Sequence, residues 1–407
     1  MIYLDYQATT PLAPEAAAAM RPWLETNFGN PHSPHRIGRE AAAAIEVARE
    51  HVFHALNFQP ARVERSRDTL SSEAENKRLG SAQQGPSTSL GANGERRLFF
   101  TSGATEAANW ALKGAATRLP ENKRKIVTLA TEHACVLDTV EWLGGLDFDI
   151  DIIPVQPDGL VDLNRVADHV DDRTGLVAAM LVNNEIGVIQ PVAEISAIAR
   201  RHGALVFCDA VQGFGRVPVP LDACDMVAVS AHKVHGPKGI GALWIRDGVA
   251  IDPLLHGGGQ EGGIRSGTLS PALCVGFGEA ARLLSGRQEE DRVHVERLRA
   301  TALSQLDGWS LNGSADRRYQ GNLNLRCEGI DAARLISEVR GVAFSAGSAC
   351  ASGSGRPSHV LAALGLSERE ARSSIRLGFG RYTTEGELAQ ALALIREAAQ
   401  RQRIFAA

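Results

Sequence analysis

The chain has 407 residues, 44% hydrophobic and 22% charged, which is enough apolar content for a large buried core and a length that suits two domains. Its formal charge is -4 and no basic run is interleaved with aromatic residues, which excludes the electrostatic footprint of a nucleic-acid binder or of a polybasic membrane patch. Six widely spaced cysteines without C-x-x-C spacing, an opening MIYLDYQATTP that lacks a basic and apolar leader, and the absence of an apolar run of about 18 residues lead us to expect a reduced, cytoplasmic chain without a membrane span.

In chain order, the Ala-rich stretch from Pro14 to Leu56 predicts two helices around the polar turn GNPHSPH at Gly29–His35. Between about Gln59 and Gly94 the sequence is rich in Ser, Gly, Gln and Arg, lacks apolar periodicity and holds no aromatic residue; it is expected to be a disordered surface insertion. Long insertions cost little in loop closure, about 0.6 kcal/mol per doubling, so folding is expected to survive replacement of 59–94 by a short linker that keeps the ends close. Beyond it, FFTSG, KIVTLA, GLVAAMLV, ALVFCDA, DMVAVSA and GALWIR alternate with helical patterns, the sign of parallel strands joined by helical crossovers. The fold class expected is α/β: a large domain over 16–288 with a mainly parallel sheet between helices, and a smaller α+β domain from 1–15 and 289–407, where charged helices at Glu290–Leu306 and Glu385–Arg401 surround a few short strands.

In open α/β sheets ligands collect beyond the carboxyl ends of strands, and the polar clusters of this chain fall there. MVAVSAHK places Lys233 at a strand end before a glycine-rich turn, where desolvation would favour the free amine able to condense with an aldehyde; a surface lysine fits that motif equally well. FFTSGATEAAN runs a strand into a small-residue turn and a helix starting near Thr105, a cup in which backbone N–H groups and the Ser102 and Thr105 hydroxyls could bind a dianion, or simply a helix cap. Asp209 in DAVQ could keep a ring nitrogen protonated, Gln212 could reach a phenolic oxygen, His133 in TEHACV could stack on a ring and move protons, and Asn184 in NNEIG could contact ring substituents. Singly each has a plainer reading as a cap or a structural residue; jointly, in this order, they point to a pyridinium aldehyde. Cys350, in the small-residue run SAGSACASGSG, is the reactive thiol candidate, whereas the other five cysteines sit in or beside apolar patterns and read as core.

Together SGATE, ATEH, NNEIG, DAVQ, SAHK-x-x-GPKG, HGGGQE-x-x-x-RSGT and GSAC resemble the cysteine desulfurases of the class V aminotransferase group, in particular the nitrogen-fixation and iron–sulfur-cluster housekeeping branch, from LDYQATTP to SSIRLGFGRYTT. The resemblance implies a fold-type I pyridoxal 5'-phosphate homodimer with the cofactor on Lys233. Ala104, Thr105, Ser230 and His232 would lie at its phosphate and Thr268 would reach the phosphate of the neighbouring subunit; Asp209, Gln212, Asn184 and His133 fall on ring-binding positions. It further implies L-cysteine as substrate, held at its carboxylate by Arg376 and Asn30, and sulfur captured on Cys350 as a persulfide. The loop from Cys350 through Pro357 and Ser358 has the length of the subgroup that delivers sulfur to a scaffold protein, with Cys350 as a transient iron–sulfur ligand; no resident metal is implied. Two departures bear on delivery: Gly262 stands where the housekeeping enzymes usually carry arginine, and the chain stops at IFAA without their longer tail. Rival readings are selenocysteine lysis or transamination on the same fold, the latter needing no mobile thiol, and an inert scaffold protein.

Overall fold

The computed structural model describes residues 1–57, 98–347 and 358–406. The segment 59–94 and Cys350 therefore lie outside the described residues. Seven strands form one sheet in the order Leu98–Thr101, Gly241–Ile245, Met226–Ser230, Leu205–Asp209, Thr174–Met180, Lys125–Leu129 and Asp149–Ile153. The last five pair in parallel. Gly241–Ile245, expected to be parallel, is antiparallel to both neighbours. The physical reason is its short link from Ser230, which has no room for the helix that a parallel crossover needs. The half-exposed strand Asp149–Ile153 was not anticipated; it lies at the sheet edge and carries Asp149 and Asp151, charges that suit an edge strand.

Alternation along the strands divides their side chains between two cores. Phe100, Val127 and Val177 pack with Val52 and Leu56 of the helix Arg36–Leu56, while Phe99, Ile126 and Leu176 pack with Trp110 of the helix Ala104–Ala116 and with Val140 of the helix Ala134–Gly144. With both faces covered, the five strands other than Gly241–Ile245 and the edge strand deliver Thr101, Leu129, Met180, Asp209 and Ser230 to one carboxyl edge.

A second, antiparallel sheet runs Ser345–Ala346, Ser374–Gly378, Asn322–Arg326, Ser310–Leu311. Its core joins Leu323, Leu325, Ile375 and Leu377 to Leu388, Leu392 and Ile395 of the helix Glu385–Ala406. The N-terminal strand Ile2–Tyr3 pairs in parallel with Val342–Ala343. The helix expected at Glu290–Leu306 is the second half of a single helix, Pro271–Ser304, that buries Cys274, Phe277 and Ala281 against the large sheet and Val295, Leu298 and Ala302 against the small one. No helix among the described residues is long and apolar enough to cross a membrane.

Candidate active site

At the carboxyl edge of the large sheet lies a cavity of about 560 Å3 lined by His133, Asn184, Asp209, Gln212, Ser230 and Lys233. Ala104, Thr105, His232 and Arg376 line it too. Five polar clusters after separate strands, distant along the chain, thus meet in one place, and the second sheet adds an arginine. Asn30 and Thr268 are exposed and line no part of this cavity.

Lys233 follows Met226–Ser230 in a single 3₁₀ turn, Ala231–Lys233. The turn is latched by the N-terminal segment, since both the amide and the hydroxyl of Thr10 donate to the carbonyl of His232 (2.8 and 3.0 Å). Lys233 Nζ donates to the carbonyls of Gln7 (2.6 Å) and Ala8 (2.8 Å), so the amine is held by neutral acceptors that a carbonyl ligand can replace. Gln212 ties the same wall together through a 2.8 Å bond from its Nε2 to the carbonyl of Gln7.

Asp209 is 5% exposed, and its Oδ1 accepts the amide of Val211 at 2.9 Å. Loss of solvent raises its carboxyl pKa, with His133 and Lys233 opposing the rise. A buried carboxylate of this kind is completed by a cationic N–H donor. His133 caps the helix Ala134–Gly144: its Nδ1 accepts from the amide of Cys135 at 3.1 Å, which places the ring proton of the neutral imidazole on Nε2. Burial lowers the pKa of His133, Asp209 opposes that shift, and Lys233 and His359 reinforce it.

The helix Ala104–Ala116 starts at the cavity, and its free N–H groups suit an anion. Glu106 of that first turn accepts the amide of Ser102 at 2.7 Å and is bridged by Arg265 at 2.7 and 3.0 Å. Burial works against its charge, but these donors outweigh burial and hold its pKa below the usual carboxylate value. Glu106 is thereby neutralised beside the anion cup. His232, its pKa lowered to about 4 by burial and by Lys233, is neutral there.

Arg376 reaches the cavity from the middle of Ser374–Gly378 and is 1% exposed. It donates to Asp5 Oδ1 at 2.7 Å and to the carbonyl of Asn184 at 3.0 Å, while its buried Nε has no hydrogen-bond partner. An unused donor on an anchored guanidinium is suited to a carboxylate.

Sequence reasoning missed several members of the site. Gln7, Ala8 and Thr9 line the cavity; their motif LDYQATTP had carried only the resemblance. Lys238, in the glycine-rich turn, lines it as well. Cys135 was assigned to the core, but it is only partly buried and faces this cavity, because it sits in the first turn of a helix that starts at the strand edge. Cys208, Cys224, Cys274 and Cys327 are buried as expected.

The class-V aminotransferase family model matches residues 2–63 and 59–391. The chain belongs to the class-V aminotransferase family. Among its relatives, the cysteine desulfurase IscS of Rickettsia bellii is 42% identical over 97% of this chain and 90% of its own length. The cysteine desulfurase IscS of Rickettsia akari is 41% identical with the same coverage. Family members are pyridoxal-phosphate enzymes. Among solved structures, a NifS-like protein superposes with a TM-score of 0.83 at 33% identity, covering 97% of this chain and 98% of its own. A second, described as SspA in complex with cysteine, reaches a TM-score of 0.77 at 32% identity over 94% of this chain and 100% of its own.

Proposed function

We propose that this chain is a pyridoxal-phosphate-dependent cysteine desulfurase, which converts L-cysteine to L-alanine and passes the sulfur to an acceptor. The observation that carries this reading is the convergence of Lys233, Asp209, His133 and Arg376 on one cavity, in a family whose relatives are cysteine desulfurases.

The residues fit the cofactor, because a buried carboxylate, a helix start and a carbonyl-held amine line the same cavity. When bound, pyridoxal phosphate supplies an aldehyde carbon that captures an amine and a protonated ring that draws electrons from it. Lys233 would hold the aldehyde carbon, and its Nζ, released from the carbonyls of Gln7 and Ala8, would move a proton. Asp209 keeps the ring nitrogen protonated, and Gln212 and Asn184 orient the ring substituents. His133, neutral with its proton on Nε2, would lie against the ring and accept or return a proton. The start of the helix Ala104–Ala116, with Ala104, Thr105, Ser230 and His232, holds the phosphate, and Thr268 serves the phosphate of a second copy in a homodimer.

Arg376 binds the substrate carboxylate, and Asn30, which lies outside the cavity of a single chain, is the second contact that the family resemblance implies. The thiolate of Cys350 then attacks the substrate sulfur: an Sγ–S bond forms as the Cβ–S bond breaks, and the electron pair stays with carbon, which is protonated to give alanine. The resulting persulfide delivers sulfur for iron–sulfur or other sulfur-cofactor assembly in the cytoplasm. Incubating the purified protein with cysteine and a reductant tests this reading. Equal yields of alanine and sulfide are expected from the wild type, and both should fall by about 10²–10⁴-fold in Lys233→Ala. Undiminished sulfide from Cys350→Ala would reject the persulfide step.

A further inference from the structure

A second cleft, of about 800 Å3, borders the same Lys233 turn and runs along the helix Pro271–Ser304 to the segment 318–320. Its size and its mostly apolar walls, among them Val217, Val234, Leu284 and Val295, are those of a small-molecule site. Its polar groups are what distinguish it.

Arg318 is 2% exposed and donates to the backbone carbonyls of Ile186, Asn312, Ser314 and Asn322, but among the described residues it meets no carboxylate, and its Nε is buried without a partner. Arg381, with a side chain 6% exposed, grips Asp291 through Nε and Nη2 and leaves Nη1 buried without a hydrogen-bond partner. Arg216 donates to Gln212 and to the carbonyl of Lys233 and lies 5.1 Å from the centre of the Tyr319 ring, again with no ion pair among the described residues. Burial lowers the pKa of Arg318 to about 9 and lowers that of Arg216, the sign of charge short of compensation. Acidic groups at the rim do not supply it: Glu289 and Glu296 are engaged by Arg292, and Glu290 is exposed. Arg381 has its counter-charge in Asp291, whereas Arg318 and Arg216 meet no carboxylate among the described residues, which leaves theirs to a ligand.

We propose that this cleft binds a small carboxylate with an apolar or aromatic body, the carboxylate between Arg318 and Arg381 and the body against Val217, Val234, Leu284 and Val295. The site is separate from the one that holds cysteine, so its test does not depend on the desulfurase reading.

The test is calorimetric titration of the purified protein, cofactor included, with 3-phenylpropionate, and with 3-phenylpropanol, which has the same body without the charge. The acid is expected to bind and the alcohol to bind at least about tenfold more weakly. Arg381→Met should weaken the acid by about tenfold. Gly286→Phe, which adds a ring to the cleft wall at a position where a Cβ meets nothing within 4 Å, should abolish binding. The near-visible absorbance band should persist in both variants, which shows that they fold. No heat with the acid, equal affinity for acid and alcohol, or binding that survives both substitutions and is displaced by cysteine would each overturn the proposal.

Discussion

The two sheets present their functional groups in opposite ways. In the seven-stranded sheet the candidate residues stand on turns beyond the strand ends: His133 after Lys125–Leu129, Asn184 after Thr174–Met180, Lys233 after Met226–Ser230. In the four-stranded sheet Arg376 stands in mid-strand, paired in register with Asn324 and Ser345, and only its long side chain reaches the cavity. Turn residues can be held by backbone carbonyls and still be displaced, as Lys233 is by Gln7 and Ala8. A mid-strand residue is fixed by the ladder itself, which suits a clamp. On the proposed reading the large sheet carries the groups that hold the cofactor, and the small sheet anchors the substrate through Arg376.

Breaking the turn side should cost most. Lys233→Ala is expected to lower kcat by about 10²–10⁴-fold, read as alanine formed per cofactor equivalent, because it removes both the attachment point and a proton carrier. On the structural side, Arg49→Met should lower unfolding free energy by about 3–5 kcal/mol in a denaturant titration. It strands Glu261, 3% exposed, which Arg49 meets at 2.7 and 2.8 Å while also holding the carbonyl of Leu98. On the clamp side, Arg376→Lys keeps the charge but loses the fork geometry, so KM for cysteine should rise by about tenfold or more, with a smaller change in kcat. The opposite split would place Arg376 in the chemical step.

The smallest effect is a titration. The lowered pKa of His133 means that its neutral form persists as pH falls through the ordinary histidine value of about 6.5, so its NMR midpoint in cofactor-free protein should lie below that value. Asp209 opposes the lowering, so Asp209→Asn should move the midpoint further down. An upward move would show that burial of the imidazole does not govern its charge.

Most of this contrast was legible in the sequence on one side only. Strand-end polar clusters announce themselves, because an apolar run that stops at SAHK or CDA leaves a polar group where open sheets bind ligands. What lay hidden depends on contacts between remote segments. Nothing near LDYQATTP marks it as the wall that holds Lys233; that role comes from hydrogen bonds spanning more than half the chain. The long helix was read only from Glu290 onward because its two halves bury different faces in different cores, with Ser285 and Gly286 exposed between them, which interrupts the apolar stripe. The reversal of Gly241–Ile245 was available from the shortness of its link, a cue that apolar alternation alone does not carry.

Two lysines line the cavity, Lys233 and Lys238, and only one can be the anchor. Reducing the purified protein with borohydride and mapping the stabilised cofactor adduct by peptide mass spectrometry separates them. The adduct is expected on Lys233; an adduct on Lys238, or none on either, would contradict the assignment on which the site rests.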